Sequence, residues 1–379
     1  MANIFRRDSI LLTLMTLIAL FGVPATPGRE GSAGSFAWMA QAGAQDANAA
    51  PPTIATQTPI ATPIRVGFIG LDTSHAGAFA KLVRDAAADS PMGRLQVVAA
   101  FPGGSLDIPS SADRIAGCTK EFREQGIEIV DSIEDLLPKV DAVILTSLDG
   151  RTHLKQALPV MQAKKPLFID KPLAADLADA IAIDLAAKKL GARWFTSSSL
   201  RFTPTIWRYR TQTDRNVLGA HAWSPCSLEP HHTDLTWYGI HGIEALYTAM
   251  GTGCQEVTRT KTEGTDVVVG RWEEGRIGLF RGIRNGTQGY GLTVFGSNFI
   301  ESDAKYEGYE PLVVKIAEFF AGAEEPVSNH ESLEILNFIQ AAQESSDRGG
   351  IPVLLADVRA LAEQTATARL ERTAVPASK

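Results

Sequence analysis

Short apolar segments alternate with helix-like segments in the first half of the folded region, and this alternation constrains the fold more than any other feature of the chain. The apolar segments are Ile64–Ile69, Leu95–Phe101, 141–147, 166–169 and 193–197. Helix-like segments lie between them at 76–88, 153–163 and 176–190, with a further helix start at Ser132. Segment 141–147 shows no alternation of polar and apolar residues, which is typical of a parallel strand buried on both faces. The pattern predicts an α/β fold with a doubly wound parallel sheet.

The pattern changes after Leu200, where strand-like segments follow one another. We predict strands at 220–223, 258–262, Thr265–Trp272, 276–284 and 289–295, and closing helices at Glu310–Phe320, 332–346 and 353–369. Short turns at 273–275 and Asn285-Gly286 separate strands. Polar and apolar residues alternate here, so we expect an antiparallel sheet with one solvent-exposed face. A chain of 379 residues is long enough for two domains, which we place at 64–192 and 193–372.

The N-terminal residues have the features of an export signal. Arg6-Arg7 precede an apolar stretch at 10–23, and small residues follow at Ala40-Gln41-Ala42. We therefore predict an export signal at 1–42, with an uncleaved anchor as the alternative. The paired arginines make the twin-arginine route a candidate, although Ser9 stands where such signals usually have Phe. Residues 43–63 are rich in Pro, Ala and Thr and are predicted to be a linker. The expected location is the periplasm or cell envelope, with membrane contact only through the signal.

Charge and cysteine content exclude two classes of function. The net charge is −7 and no stripe of Lys or Arg occurs, so we expect no nucleic-acid partner. The three cysteines, Cys118, Cys226 and Cys254, lie far apart in the sequence. They form neither a disulfide framework nor a zinc-knuckle spacing, so no metal site is predicted from them.

A lysine ends one of the predicted parallel strands. Asp170-Lys171-Pro172 follows the apolar run at 166–169, which places Lys171 at the carboxyl edge of the sheet. Ligands bind at that edge in open α/β sheets, and Pro172 disfavours helix at the residue before it. We therefore expect Lys171 to lie over a bound cofactor. The alternative is a surface lysine at a strand end.

The loop after the first strand differs from the usual dinucleotide fingerprint. Gly70 suits the tight turn, but Asp72 and His75 take positions where small residues normally let the backbone approach a pyrophosphate. A carboxylate there would repel phosphate. One interpretation is that Asp72, Thr73 or Ser74 caps the next helix and Asp72 points to solvent; the other is an altered contact with cofactor or substrate. The second strand ends without an acid for a ribose hydroxyl, so NAD and NADP both remain candidates.

Several motifs in one order resemble those of a known enzyme family. They are Asp-Ala-Val-Ile-Leu-Thr-Ser at 141–147, His153, Asp170-Lys171-Pro172, Leu-Arg-Phe-Thr-Pro at 200–204, Gly-Ile-His-Gly-Ile-Glu at 239–244, and the Ser-Leu-Glu and Ala-Gln-Glu-Ser elements within 332–345. This arrangement resembles the Gfo/Idh/MocA oxidoreductases, named for glucose–fructose oxidoreductase and inositol dehydrogenase. The resemblance extends from Ile64 to about Val353.

The resemblance implies a Rossmann domain, followed by an α/β domain with an open, mainly antiparallel sheet. It also implies NAD or NADP as cofactor and a sugar or polyol as substrate, and we expect a homo-oligomer. Lys171 corresponds to the lysine near nicotinamide and substrate, and His241 to the proton-transfer histidine. The acid that the family carries four residues before that histidine is Trp237 here. The predicted cofactor-binding residues are Gly70, Asp72, Thr73, Ser74, His75, Ser147, His153 and Asp170.

General chemistry supports these two roles. Hydride transfer from an alcohol needs a base for the hydroxyl proton and a cation beside the developing alkoxide. His241 and Lys171 can supply them, although His241 could instead be a core histidine on an apolar helix face. Because Trp237 replaces the acid, we predict that Asp234 orients His241 and thereby takes part in catalysis. Glu244 is the second candidate for this contact.

A polar cluster at 229–234 is the other candidate for the site. We predict that it faces substrate, and we name Arg201, His231, His232, Trp237 and Tyr238 as substrate-binding residues. A metal site is the alternative for the cluster, and a structural ion pair is the alternative for Arg201. The predicted function is an exported oxidoreductase acting on a sugar or polyol. Its rivals are glycoside cleavage through transient oxidation, and a cofactor-free sugar-binding protein.

Overall fold

The computed structural model describes residues 62–374, except 213 and 304. The predicted export signal at 1–42 and nearly all of the predicted linker at 43–63 therefore lie outside the described residues. Within the described part, no helix is long and apolar enough to cross a membrane.

A six-stranded parallel sheet forms the first half of the described chain. Its strands are β1 (Ile64–Ile69), β2 (Leu95–Phe101), β3 (Glu128–Ile129), β4 (Ala142–Leu145), β5 (Leu167–Asp170) and β6 (Trp194–Ser197). They lie in the order β3-β2-β1-β4-β5-β6. All four residues of β4 are buried, as the unbroken apolar run predicts. The predicted doubly wound parallel sheet is confirmed, and its strand order reverses between β1 and β4, where such sheets bind ligands.

Five helices connect these strands. They are α1 (Ser74–Arg84), α2 (Pro109–Glu124), α3 (Ile133–Leu136), α4 (His153–Gln162) and α5 (Leu177–Leu190). Thr73 caps α1 by accepting a hydrogen bond from the backbone N–H of His75, and Ser132 and Asp176 cap α3 and α5 in the same way. The sequence analysis missed α2, whose preceding residue, Ile108, makes no side-chain capping bond.

A second, seven-stranded sheet follows. Its strands are β7 (Val217–Pro225), β8 (Cys254–Lys261), β9 (Thr265–Trp272), β10 (Ile277–Ile283), β11 (Gly291–Gly296), β12 (Ile300–Asp303) and β13 (Val353–Leu354), in the order β12-β11-β7-β10-β9-β8-β13. The sheet is mainly antiparallel, as predicted, but β7 and β10 pair in parallel. The predicted turn at Asn285-Gly286 therefore does not join neighbouring strands, because β7 lies between β10 and β11.

The remaining helices bring the two sheets together. They are α6 (Pro204–Thr211), α7 (Asp234–Trp237), α8 (Ile240–Met250), α9 (Glu310–Phe320), α10 (Asn329–Asp347) and α11 (Leu355–Ala374). Every residue of α8 is buried, because α8 packs on β7 and β10 and also against α6 and α10. Helix α11 packs on α5, and α9 packs on α1. One hydrophobic core therefore spans both sheets and holds the start of α8 near the carboxyl edge of the first sheet.

Candidate active site

Lys171 lies directly after β5, at the carboxyl edge of the parallel sheet. Its side chain is buried, and Nζ lies 5.6 Å from the centre of the Tyr238 ring. Burial lowers the pKa of its amine, although the charges of Asp170 and Glu244 oppose this effect. The alternative interpretation of Lys171 as a surface lysine is therefore wrong.

The carboxylate next to this lysine is bound by other groups. Asp170 Oδ2 lies 2.5 Å from His75 Nδ1, and Oδ1 accepts the backbone N–H of Lys171 at 2.9 Å. The His75 ring stacks on Phe79 and also contacts Tyr309, with ring centres 5.6 and 4.9 Å apart. Asp170 thus joins the end of β5 to the first turn of α1 and orients His75.

His241 enters the site from the first turn of α8. Its Nδ1 lies 2.6 Å from Ser198 Oγ, which also accepts the backbone N–H of Leu200 at 3.2 Å. Burial, together with the nearby charges of Lys171 and His75, holds the pKa of His241 well below its usual 6.5. The imidazole is therefore neutral at neutral pH, with one ring nitrogen occupied by a hydroxyl group.

The predicted contact between Asp234 and His241 is wrong. Asp234 instead accepts hydrogen bonds from Arg259 Nη2 at 2.8 Å and Lys261 Nζ at 2.6 Å. The guanidinium of Arg259 is fully buried and pairs with two carboxylates, Asp266 and Asp234, each at 2.8 Å. Asp234 therefore stabilises the second sheet, and the structure gives it no direct part in the site.

Glu244, the second candidate partner, acts on His241 through Ser198. One carboxylate oxygen accepts the backbone N–H of Ser198 at 2.9 Å, and the other accepts Ser197 Oγ and Arg201 Nε, both at 2.9 Å. Glu244 thereby holds the backbone that presents the Ser198 hydroxyl to His241.

Arg201 is a structural residue. Its guanidinium is fully buried between Glu244 and Glu331, with Nη1 2.5 Å from the Glu331 carboxylate. The ion-pair alternative for Arg201 is therefore correct, and Arg201 does not line the cavity in front of His241. The two carboxylates bind Nε and Nη1, whereas Nη2 has no hydrogen-bond partner among the described residues.

Tyrosines surround a small cavity in front of His241. The cavity has a volume of about 50 Å³ and is lined by His75, Ser199, Leu200, Tyr238, His241, Tyr290, Tyr306 and Tyr309. Four of the six tyrosines of the chain meet here. Tyr238 and Tyr290 face the His241 ring at 5.0 and 6.0 Å between ring centres. Burial raises the pKa of Tyr290, Tyr306 and Tyr309, so their phenols remain protonated hydrogen-bond donors.

Most of these lining residues escaped the sequence analysis. Of the predicted substrate-binding residues, only Tyr238 lines the cavity. Tyr290, Tyr306 and Tyr309 come from segments that are remote from His241 in sequence. The available signal was a tyrosine next to a glycine, at Tyr290-Gly291 where β11 begins and at Gly308-Tyr309 before α9.

The cluster at 229–234 lies outside the cavity lining. His232 is buried against Trp237, with ring centres 4.9 Å apart, and its Nε2 accepts the backbone N–H of Gly150 at 3.0 Å. Burial lowers the pKa of His232 to about 4. His231 is exposed and pairs with Glu229 at 2.6 Å. The predicted role of His231, His232 and Trp237 as substrate ligands is therefore not supported by their positions.

The metal alternative also lacks support. Among residues 62–374, leaving out 213 and 304, no three His, Cys, Asp or Glu side chains come together as a possible metal site.

The loop after β1 is shaped by close contact with β4. Gly70 has a φ of +92°, and a Cβ atom there would lie 2.3 Å from the backbone nitrogen of Ser147. Asp72 is fully buried; it accepts Ser111 Oγ at 2.6 Å and the backbone N–H of Leu148 at 3.0 Å. Asp72 therefore does not point to solvent, and Thr73 is the cap of α1.

His153 connects two backbone segments at the same edge. Its Nε2 lies 2.7 Å from the Ser147 carbonyl oxygen, and Nδ1 lies 3.1 Å from that of Leu173. The side chain is fully buried. His153 therefore ties the end of β4 to the segment after Lys171, and the prediction that it contacts the cofactor is wrong, because both ring nitrogens face backbone carbonyls.

Comparison with known proteins gives an independent view of the chain. Residues 64–198 match the model of an oxidoreductase family described as having an NAD-binding Rossmann fold, GFO_IDH_MocA. A myo-inositol 2-dehydrogenase of Thermotoga maritima is 27% identical over 190 residues, which are 44% of this chain and 56% of that protein. The chain thus spans about half the length of this curated relative.

Two solved structures resemble the whole fold. A probable dehydrogenase from Thermotoga maritima has a TM-score of 0.63 at 21% identity, covering 78% of this chain and 100% of its own. A scyllo-inositol dehydrogenase from Lactobacillus casei, solved with NAD(H) and scyllo-inositol, has a TM-score of 0.62 at 15% identity, with coverage of 78% and 100%. At these identities the two structures show a shared fold.

The matched region contains the parallel sheet, the Gly70 turn and Lys171, and the motif order of the sequence agrees with it. Over residues 64–198, the chain is therefore similar to the Gfo/Idh/MocA oxidoreductases, whose family model matches this region.

Proposed function

We propose that the protein is an NAD-dependent oxidoreductase that oxidises a secondary hydroxyl of a cyclic polyol or sugar, of the inositol dehydrogenase type. The observation that carries this proposal is the meeting of Lys171, His241 and four tyrosines at the carboxyl edge of the parallel sheet. A cation, a neutral imidazole and phenolic hydroxyls suit an alcohol that must lose a proton and a hydride. The similarity to inositol dehydrogenases supports this substrate class.

The residues at the sheet edge fit a nicotinamide dinucleotide, with one exception. Gly70 allows the tight turn after β1, and the first turn of α1 contains Ser74, His75 and Ala76, none of which is acidic. A helix N-terminus of this kind favours phosphate. Lys171 and His241 lie together at the carboxyl end of β5, away from the turn after β1, and the nicotinamide would be held there. The exception is Asp72, a carboxylate in the turn itself.

The roles of the protein groups follow from their contacts. His241 would take the hydroxyl proton at Nε2 in the tautomer whose Nδ1–H donates to Ser198 Oγ. The ammonium group of Lys171 would stabilise the developing alkoxide oxygen, an effect strengthened by its burial. The bound cofactor supplies the hydride acceptor. Positioning of Ser198 falls to Glu244, which holds its backbone N–H.

The aromatic walls favour a ring-shaped polyol. Tyrosine faces pack on the C–H face of a saturated ring, and their hydroxyls bond to its substituents. The cavity of about 50 Å³ is smaller than such a ring, and Tyr306 closes it by a 2.9 Å contact with Ser199 Oγ. The cavity must therefore widen to hold such a ring, and Tyr306, the most accessible of the lining tyrosines, is the residue expected to move.

The first experiment tests whether the protein binds NAD. The purified protein is denatured, and any released nucleotide is identified by mass spectrometry. NADH formation is then measured with myo-inositol, scyllo-inositol and a panel of hexoses, with Lys171→Ala as the matched inactive control. NAD, either released on denaturation or bound on titration, together with NADH formation on a polyol is expected. If no nucleotide is released or bound on titration, the proposal is wrong and the rival, a cofactor-free binding protein, is favoured.

Product analysis separates the proposal from glycoside cleavage. Incubation with a glycoside and substoichiometric NAD would yield free sugar without accumulation of NADH if oxidation were transient. Net formation of a ketone in proportion to NADH supports the dehydrogenase.

We also propose that the protein is exported and forms a homo-oligomer. Support for export comes from the sequence of residues 1–42. Mature protein recovered outside the cytoplasm should begin within the linker, whereas cytoplasmic protein that retains Met1 would contradict export. Light scattering of the purified protein tests the oligomer.

A further inference from the structure

Asp72 occupies the crevice at which the strand order of the parallel sheet reverses. Its carboxylate is fully buried and accepts hydrogen bonds from two different walls: Ser111 Oγ on α2 at 2.6 Å and the backbone N–H of Leu148 after β4 at 3.0 Å. It stands at the second position of the turn, where a small residue normally lets the backbone approach a pyrophosphate. The carboxylate of Asp72 therefore occupies two hydrogen-bond donors at the place where the negatively charged pyrophosphate of a dinucleotide would bind.

A second side-chain bridge crosses the same crevice. Ser105 Oγ, in the loop after β2, donates to Asp149 Oδ2, in the loop after β4, at 2.6 Å. The backbone N–H of Ser105 also donates to Ser111 Oγ at 2.8 Å, so the two bridges form one network. Asp72, Ser105, Ser111 and Asp149 are all buried. The loops on either side of β1 are therefore held together across the crevice.

The carboxylates of Asp72 and Asp149 differ in the groups that balance their negative charge. Asp149 is paired with Arg151 at 2.8 Å, whereas the hydrogen bonds to Asp72 come from a hydroxyl and a backbone amide. Burial raises the pKa of Asp72 above its usual 3.8, despite those two bonds. The carboxylate of Asp72 would be held close to any phosphate entering the crevice, and two like charges at such a distance inside a protein repel strongly.

We propose that Asp72 competes with the phosphates of the dinucleotide, so that the cofactor binds weakly and only after the bonds from Ser111 and Leu148 to Asp72 have broken. The proposal rests on the proposed function, because it takes NAD as the ligand of this crevice. It makes Asp72 a determinant of cofactor affinity. NAD would then behave as a ligand that exchanges with each turnover and not as one retained through purification.

Calorimetric titration of NAD and ADP-ribose into the full chain tests this proposal. The first variant is Asp72→Asn, which keeps an acceptor for Leu148 and a polar partner for Ser111 but removes the charge. The second is Asp72→Gly, which places a small residue in the turn and serves if the first does not fold. Asp113→Asn is the control, because it removes one negative charge from the exposed face of α2 without touching the crevice.

We expect at least about a tenfold increase in affinity for both ligands in the Asp72 variants, since each factor of ten corresponds to about 1.4 kcal/mol and a removed like charge is worth that much or more. The control should bind as the unchanged protein does. An affinity that is equal or lower in both Asp72 variants overturns the inference, while the proposed function stands if the unchanged protein binds NAD. A lack of binding in all variants overturns both.

Discussion

Ser198 Oγ lies 2.6 Å from His241 Nδ1, in the place where a carboxylate would be expected to orient a proton-transferring histidine. A hydroxyl group orients the ring through one hydrogen bond, in which either atom can be the donor, and it brings no negative charge. The imidazolium form is therefore less stabilised than beside an acid. This agrees with the low pKa of His241, whose main cause is burial.

Removal of this hydroxyl should affect orientation and not binding. Ser198→Ala leaves His241 Nδ1 buried without its partner, at a cost of about 1–3 kcal/mol, and frees the ring to rotate. We expect kcat to fall about 10- to 100-fold with little change in KM, and Ser198→Thr to restore part of it. Steady-state kinetics measure kcat and KM separately for both variants. A lower kcat with an unchanged pH profile would point to a purely structural role for Ser198.

The pH profile of kcat/KM should report the low pKa of His241. The imidazole is neutral, and able to accept a proton, at every pH above its lowered pKa. The rate should therefore stay level through neutrality and fall only in acid, well below pH 6.5. In His241→Gln the remaining activity should lose that acid limb. An inflection at or above pH 6.5 in the unchanged protein would contradict the position of His241 in the structure.

Lys171 should contribute to turnover more than to cofactor binding. Lys171→Ala removes the charge beside the reacting oxygen, so kcat should fall by about two to four orders of magnitude while NAD affinity changes little. Lys171→Arg should not restore it, because the planar guanidinium does not fit a site made for a compact ammonium group.

The alkaline limb offers a second check on Lys171. Its pKa is lowered from 10.5, so the ammonium form, and kcat with it, should decrease at a pH below that value. The dependence of kcat on pH measures this limb.

Kinetics of Lys171→Ala and a parallel NAD titration separate turnover from cofactor binding. Unchanged turnover in the alanine variant would exclude the proposed role of Lys171.

Asp234 should matter for stability and not for proton transfer. Asp234→Asn weakens the charged hydrogen bonds to Arg259 and Lys261, at an expected cost of about 1–3 kcal/mol in the free energy of unfolding. Burial alone would raise the pKa of Asp234, but the bonds from Lys261 and Arg259 lower it below 3.8. Its contribution is thus present above about pH 3.8 and is lost as the pH falls through the lowered pKa.

Denaturant unfolding at neutral pH and at pH values below 3.8 measures this difference, which should shrink in acid. The pH profile of kcat/KM for Asp234→Asn should match that of the unchanged protein. A shifted profile would mean that Asp234 is coupled to His241 after all.

Gly70 should tolerate no side chain. In Gly70→Ala the new Cβ would lie 2.3 Å from the backbone nitrogen of Ser147, and φ is +92°. The segments that follow β1 and β4 must then separate, and we expect a loss of about 3 kcal/mol or more in stability. Gly126→Ala is the matched control, because Gly126 also has a positive φ, +79°, but nothing lies within 4 Å of its added Cβ. Equal melting temperatures of the two variants would exclude the close-contact argument.

Much of the fold follows from local pattern. The unbroken apolar run at β4 and the alternation at β9 and β10 each predict the environment of a strand, since side chains on a strand alternate between faces. The same logic places Lys171 at the carboxyl edge, because a strand that ends in a lysine and a proline has few other places for the side chain. The position of β7 between β10 and β11 was not predictable in this way, because pairing of strands remote in sequence depends on how the whole sheet packs.

What the sequence by itself determined was the type and order of most strands and helices, with α2 as an exception, and it named Lys171 and His241 as candidate site residues in one motif series. The tertiary structure decided the partners. Asp234 lies shortly before His241 in the sequence and Glu244 shortly after it. Nevertheless, Asp234 binds Arg259, and Glu244 binds Ser198 and Arg201. Buried charges bind the nearest opposite charge or hydrogen-bond donor in space, because an uncompensated buried charge costs several kcal/mol. That nearest group is set by packing between distant segments, and so is the gathering of the tyrosines around His241.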